Sequence, residues 1–96
     1  MSKYARKVDT NQADVISWYE GLGYSIINTS AVGNGFPDLI AVHEYVDGQY
    51  DIIFIEVKRS KYAKYTQAQK EFNEKYPGLA VRVENEDDVK RSVQDG

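Results

Sequence analysis

The stretch DIIFIEVKRS, residues 51–60, combines a buried strand with charges that a strand interior normally lacks. Alternate side chains of a strand share a face, so Ile53, Ile55 and Val57 point one way. The other face carries, in order, Ile52, Phe54, Glu56 and Lys58. Apolar residues on both faces predict a central strand that helices cover on either side. A charge at the end of such a strand is costly unless it is paired or binds a metal. The alternative is a strand that runs out into solvent.

Length and composition limit the possible classes of protein. A chain of 96 residues, 42% hydrophobic and 28% charged, predicts one soluble globular domain over residues 1–96. Without cysteine the chain can form neither disulfides nor a cysteine-based metal site, and His43 as the only histidine excludes a multi-histidine zinc site. Neither a signal peptide nor an apolar stretch of membrane-spanning length is visible. We therefore expect a cytoplasmic protein with no membrane partner.

The formal net charge of −3 argues against a protein that is basic throughout. The cations are clustered, however. One cluster comprises Lys3, Arg6 and Lys7, and a second follows the strand as Lys58, Arg59, Lys61 and Lys64. A basic patch on an acidic chain can bind phosphate locally, although solvated surfaces are an equally good explanation of the charges alone.

Turn and capping signals predict the element order α-β-β-β-α-β-α, a mixed sheet flanked by helices. Asp9 and Gln12 have the spacing of a capping box, as do Thr66 and Gln69 before a helix that Pro77-Gly78 ends. Asp47-Gly48 predicts a hairpin between a strand that starts at Pro37 and the strand over 51–58. Asn85 predicts the cap of a last short helix.

The hairpin would bring two carboxylates together, because Asp38 begins one strand and Glu56 ends the other. Carboxylates are hard ligands for Mg²⁺ or Mn²⁺, and a nearby lysine can stabilise charge that develops on a phosphate. Gln69 shares a helix face with Phe72 and so points inward. Gln12 lies near the apolar face of the first helix. For both glutamines, helix capping is the alternative role.

These residues carry a family resemblance. Pro37-Asp38 followed by Glu56-Val57-Lys58 resembles the signature of PD-(D/E)XK nucleases. The spacing Thr66-x-x-Gln69-x-x-Phe72 resembles the glutamine motif of the VRR-NUC branch. The stretches DTNQADV and AVGNGFPDLIAV look like its small, stand-alone, phage-type members. The resemblance covers about residues 8–93 and implies a restriction-endonuclease-like fold.

The resemblance also implies roles for individual residues. Asp38, Glu56 and the Val57 carbonyl would bind Mg²⁺ or Mn²⁺. Lys58 would be the catalytic lysine, and Gln69 would be the family's glutamine. Gln12 occupies a position where many relatives have a metal-binding glutamate. An amide is a poorer metal ligand than a carboxylate, which leaves the number of ions open.

The implied function is a metal-dependent DNA endonuclease, structure-selective on branched DNA such as Holliday junctions and active as a homodimer in a bacterial or phage-infected cell. The residues expected to bind nucleic acid are Arg59, Lys61, Lys64 and Asn34, of which the three cations would contact phosphates. Tyr62 and Tyr65 can stack on exposed bases or simply pack over the sheet edge. The alternative function is a non-catalytic DNA-binding or interaction module that retains the fold.

Overall fold

The computed structural model describes residues 12–94. The elements in this range are α1 Gln12–Gly21, β1 Ser25–Asn28, β2 Leu39–Glu44, β3 Tyr50–Val57, α2 Gln67–Lys75, β4 Ala80–Val83 and α3 Glu86–Gln94. They confirm the predicted order α-β-β-β-α-β-α. The partner proposed for Gln12 in a capping box, Asp9, and the first basic cluster lie outside the described residues. No helix within 12–94 combines the length and apolar character needed to cross a bilayer.

The strands of the described range form one mixed four-stranded sheet in the order β1-β2-β3-β4. β1, β2 and β3 pair antiparallel, while β4 pairs parallel to β3 after the crossover through α2. The predicted hairpin between β2 and β3 is confirmed. Its Gly48 has a φ of 87°, a conformation that glycine adopts without strain. The fold is therefore mixed α/β, with helices on both faces of the sheet.

Several strand boundaries differ by a residue or two from the prediction. β2 starts at Leu39, so Pro37 and Asp38 precede it, and Lys58 follows the last residue of β3. Proline has no N–H to give to the ladder, which explains the later start. The pairing nevertheless continues past both strand ends. Asp38 N donates to Ile55 O at 2.9 Å, and Lys58 N donates to Val83 O at 2.9 Å.

The main core lies between one face of the sheet and helices α1 and α3. It consists of Val15, Tyr19, Tyr24, Leu39, Ala41, Ile53, Ile55, Val83 and Val89. Ile53 and Ile55 belong to the face of β3 that the alternation of its sequence predicted to be apolar. The Tyr19 hydroxyl lies 2.6 Å from Ser92 Oγ, a hydrogen bond that joins the two helices across the core.

The opposite face of the sheet is covered over only part of its length. There Phe36 packs edge-on against Phe54 and Phe72, with ring centroids 6.3 and 5.8 Å apart. Ile52, two residues before Phe54, is 52% exposed. The expectation that helices cover both faces of β3 is therefore wrong for its first half. A nine-residue α2 spans only about 14 Å, whereas the eight residues of β3 span about 26 Å.

The loop before β2 is locked against the start of α2 at Gly35. This glycine has a φ of 80°, and a Cβ there would lie 2.2 Å from the Ala68 carbonyl oxygen. Only glycine permits this approach. The contact holds α2, and with it Gln69, next to the loop that leads into Asp38.

Candidate functional site

An open cavity of about 350 Å³ lies where β3 ends and β2 begins. Its lining residues are Gln12, Asp38, Glu56, Val57, Lys58, Arg59 and Gln69. They come from α1, the loop before β2, the end of β3 and α2. Every residue predicted to act in catalysis or to bind the metal therefore borders one cavity.

Strand pairing places Asp38 beside Glu56. Leu39 is the register partner of Ile55, so the next position of this antiparallel pair matches Asp38 with Glu56. Asp38 Oδ2 accepts a hydrogen bond of 2.9 Å from the Val57 backbone N–H, which fixes the orientation of this carboxylate. Glu56 is only 5% exposed. The two carboxylates thus meet at the sheet end, as the hairpin prediction required.

Gln69 connects the acid to the lysine. Its Nε2 donates to Glu56 Oε2 at 2.5 Å, and its Oε1 accepts from Lys58 Nζ at 2.8 Å. The same Oε1 also accepts from the Thr66 backbone N–H at 2.9 Å, within a complete capping box. The capping role and the inward-pointing role, which the sequence presents as alternatives, are combined in one side chain.

Lys58 is held firmly for a lysine. Its Nζ also donates to the Lys64 carbonyl at 3.2 Å, and it lies 3.9 Å from Glu56 Oε2 and 5.3 Å from the centre of the Tyr65 ring. The side chain is 11% exposed. A lysine with this many contacts loses its usual freedom and presents a fixed positive charge to the cavity.

Electrostatics at the site are dominated by the burial of Glu56. Burial, and after it the neighbouring Asp38 charge, raise the pKa of Glu56 to about 7, although Lys58 and Arg82 oppose the shift. Two carboxylates this close repel each other when both are ionised. A divalent cation between them would remove that repulsion.

The donor set fits a magnesium-like ion. Both carboxylates are hard oxygen ligands, and Val57 borders the same cavity. Within residues 12–94, no three side chains of His, Cys, Asp or Glu gather into a closed cage. Mg²⁺ commonly binds through one or two carboxylates and completes its shell with water and substrate phosphate. An open site with two acids is compatible with this mode of Mg²⁺ coordination.

The residues predicted to bind nucleic acid are spread more widely. Arg59 lines the cavity, whereas Lys61 and Lys64 lie exposed outside its lining. These three cations belong to residues 59–65, which we call the basic loop. Asn34 is also exposed, in the glycine-containing loop before β2 and with a φ of 55°. Of the four residues, only Arg59 therefore lines the cavity, while the basic loop also reaches it through the Lys64 carbonyl, which accepts from Lys58 Nζ.

Two tyrosines of the basic loop are placed differently. Tyr62 is 77% exposed, and Lys61 Nζ lies 5.3 Å from the centre of its ring. Tyr65 is half-buried and packs against the cations of Lys58 and Arg82. Tyr62 is therefore accessible to a partner, and Tyr65 has the packing role that its sequence position allowed.

One residue of this region was missed by the sequence reasoning. Arg82 in β4 is the register partner of Glu56 and lies 5.1 Å from the Tyr65 ring centre. The signal was present, since Arg82 is the only charge in the otherwise apolar strand AVRV.

Comparisons of the chain with protein families, with curated proteins and with solved structures found no match. The family resemblance therefore rests on the residues and motifs themselves.

Proposed function

We propose that the protein is a metal-dependent DNA endonuclease with a restriction-endonuclease-like fold, which hydrolyses phosphodiester bonds. The observation that carries the proposal is the hydrogen-bonded chain from Glu56 through Gln69 to Lys58, with Asp38 beside Glu56, around one open cavity. A purely structural site would not be expected to place a buried acid, a half-buried acid and a half-buried lysine together at the rim of a cavity.

Each residue has a distinct part in the proposed reaction. Asp38, Glu56 and the Val57 carbonyl would hold Mg²⁺ or Mn²⁺. When bound, such an ion supplies Lewis acidity, which polarises the phosphate and makes a coordinated water more acidic. Lys58 offsets the negative charge that grows on the phosphate oxygens as the water oxygen bonds to phosphorus and the bond from phosphorus to the leaving oxygen breaks. Gln69 orients the Lys58 ammonium, and Gln12 offers an amide from α1 at the cavity wall.

The proposed substrate is branched DNA, such as a four-way junction, cut by a homodimer. The basic loop beside the cavity supplies cations for neighbouring phosphates. A small domain benefits from additional apolar burial, and Ile27 and Ile52 are each 52% exposed on the sheet face that α2 covers only in part. Two sites related by a two-fold axis are the simplest means of cutting both strands of a symmetric junction. Light scattering should show a dimer at tens of micromolar, and a monomer there would remove this part of the proposal.

The experiment that tests the activity is a cleavage assay on linear duplex, single-stranded, flap and four-way DNA, with Mg²⁺, Mn²⁺ or EDTA. We expect ion-dependent cleavage that is fastest on four-way DNA. Asp38→Asn should abolish it. Asp47→Asn is the matched control, because it makes the same change at an exposed turn residue at the far end of the sheet.

Two results would change the proposal. DNA binding without cleavage by the wild-type protein would favour the non-catalytic module. Equal cleavage of linear and four-way DNA would leave a nuclease without junction selectivity.

A further inference from the structure

The basic loop is held in place by one side chain of the neighbouring strand. Residues 59–65 contain neither helix nor strand, so the loop backbone makes few bonds of its own. Arg82 Nη2 donates to the carbonyl oxygens of Ser60 and Ala63 at 3.1 and 2.6 Å. Both ends of the loop's central turn are therefore tied to the same guanidinium.

Arg82 is itself fixed from two further directions. Its Nε donates to Glu84 Oε2 at 2.5 Å, and its guanidinium packs against the Tyr65 ring. Its side chain is 22% exposed. The planar fork of arginine can serve a carboxylate, two carbonyls and a ring at once, which the single ammonium of lysine cannot.

The same loop reaches the proposed catalytic lysine. Lys64 O accepts a hydrogen bond from Lys58 Nζ, and the Tyr65 ring contacts both Lys58 and Arg82. Displacement of the loop would therefore remove two of the contacts that orient Lys58. The path from Arg82 to Lys58 consists entirely of direct contacts.

We propose that Arg82 is a positioning residue that holds the basic loop in a single conformation. In that conformation Arg59, Lys61 and Lys64 are presented together to DNA phosphates. The hydrogen bond from Lys58 Nζ to Gln69 Oε1 is also maintained. The DNA-binding part of this inference rests on the proposed function, whereas the ordering of the loop by Arg82 does not.

The ordering of the loop can be measured without any activity. Because the chain has no cysteine, Tyr62→Cys gives a single attachment point for a nitroxide spin label at an exposed loop position. The mobility of the label is then compared by electron paramagnetic resonance in backgrounds with Arg82, Arg82→Lys and Arg82→Met. Arg91→Met is the matched control, since it removes an arginine whose ion pair is with Asp88 in α3 and not with the loop.

We expect the label to be more mobile in both Arg82 variants than in the protein with Arg82. In the Arg91→Met control, its mobility should not increase. Unchanged mobility in Arg82→Lys and Arg82→Met would overturn the proposal. Circular dichroism checks that each variant is folded. If Arg82→Met does not fold, Arg82→Lys carries the test, because it keeps the charge and loses only the fork.

DNA affinity provides the functional readout, measured in EDTA so that no cleavage occurs. Arg82→Lys should weaken binding of four-way DNA about 10-fold, because three cationic side chains must then be ordered on binding. The dependence of affinity on salt should keep its slope, because the loop cations themselves remain. Wild-type affinity in Arg82→Lys would overturn the link between the loop and DNA. If the wild-type protein binds no DNA at all, the proposed function fails, and the spin-label result still decides whether Arg82 orders the loop.

Discussion

In strand β3, the usual burial of apolar residues and exposure of charged residues is reversed at the two ends. At its last residues a carboxylate is almost completely buried, with Glu56 only 5% exposed. At its first residues, large apolar side chains face solvent, with Tyr50 59% and Ile52 52% exposed. Burial of a charge costs free energy, and exposure of an apolar side chain forgoes stabilisation. Both ends therefore depart from what stability alone would select, which agrees with the proposed catalytic site at the polar end and the proposed dimer contact at the apolar end.

The acids at the two ends have different neighbours. Near the first end, Asp51 accepts a hydrogen bond from the Tyr24 hydroxyl, and burial raises the pKa of Tyr24. Near the last end, Glu56 has a second carboxylate, an amide and an ammonium as neighbours. An acid that accepts a hydrogen bond from a neutral donor has its charge stabilised within the fold and needs no further ligand. An acid beside another acid has a reason to bind a cation.

The largest effect should come from removing the ammonium at the polar end. Lys58→Ala should reduce the cleavage rate about 10²- to 10³-fold, because the lost charge acts on the transition state. Its Mn²⁺ affinity in calorimetry should stay near that of the wild type, whereas Asp38→Ala should lose Mn²⁺ binding. Cleavage by Lys58→Ala within a few-fold of the wild type would exclude the catalytic role.

The buried acid should make the metal-free protein less stable as the pH rises. The pKa of Glu56 is raised to about 7 in the folded state, from 4.5 in the unfolded state. Below pH 4.5 Glu56 is protonated in both states, so its burial costs no free energy of ionisation. The resulting loss in the free energy of unfolding grows between pH 4.5 and 7 and is complete above pH 7.

Glu56→Gln should remove this pH dependence. In EDTA, the free energy of unfolding of the wild type relative to Glu56→Gln should fall by about 3 kcal/mol between pH 4 and pH 8, at 1.36 kcal/mol per pKa unit. Urea denaturation at both pH values gives this difference. The same offset between the two proteins at pH 4 and at pH 8 would show that Glu56 does not titrate as its burial requires.

The cations beside the polar end should control the salt dependence of DNA binding. Replacing Arg59, Lys61 and Lys64 together with Ala should flatten the slope of log affinity against log salt by about 2 to 3 units. Fluorescence anisotropy with labelled four-way DNA in EDTA measures the slope. If it does not change, the DNA lies elsewhere on the molecule.

The smallest effect should come from the apolar end. Ile52→Ala should cost less than about 1 kcal/mol of unfolding free energy in dilute protein, because the side chain is already half in water. Ile55→Ala, three residues on and fully buried, should cost about 2 to 5 kcal/mol. Similar losses in the two variants, measured by urea denaturation, would mean that Ile52 is covered in solution.

The sequence by itself determined the order of the elements and the meeting of the two acids. Alternation over residues 51–58 defined the faces of β3, Asp47-Gly48 closed the hairpin, and the hairpin register then left Asp38 no place but beside Glu56. Thr66 and Gln69 marked the start of α2. These are local signals, and each acts over a few residues or through a single turn.

Only the tertiary structure decided how the site is held and which part of the sheet stays open. The bonds from Gln69 to Glu56 and Lys58, and from Arg82 to the basic loop, join residues 11 to 22 positions apart. They depend on where α2 and β4 pack, which no local pattern specifies. The exposure of Ile52 has the same origin. The sequence of β3 contains no information on the length of α2, which is shorter than the strand whose Ile52 and Phe54 face it packs on.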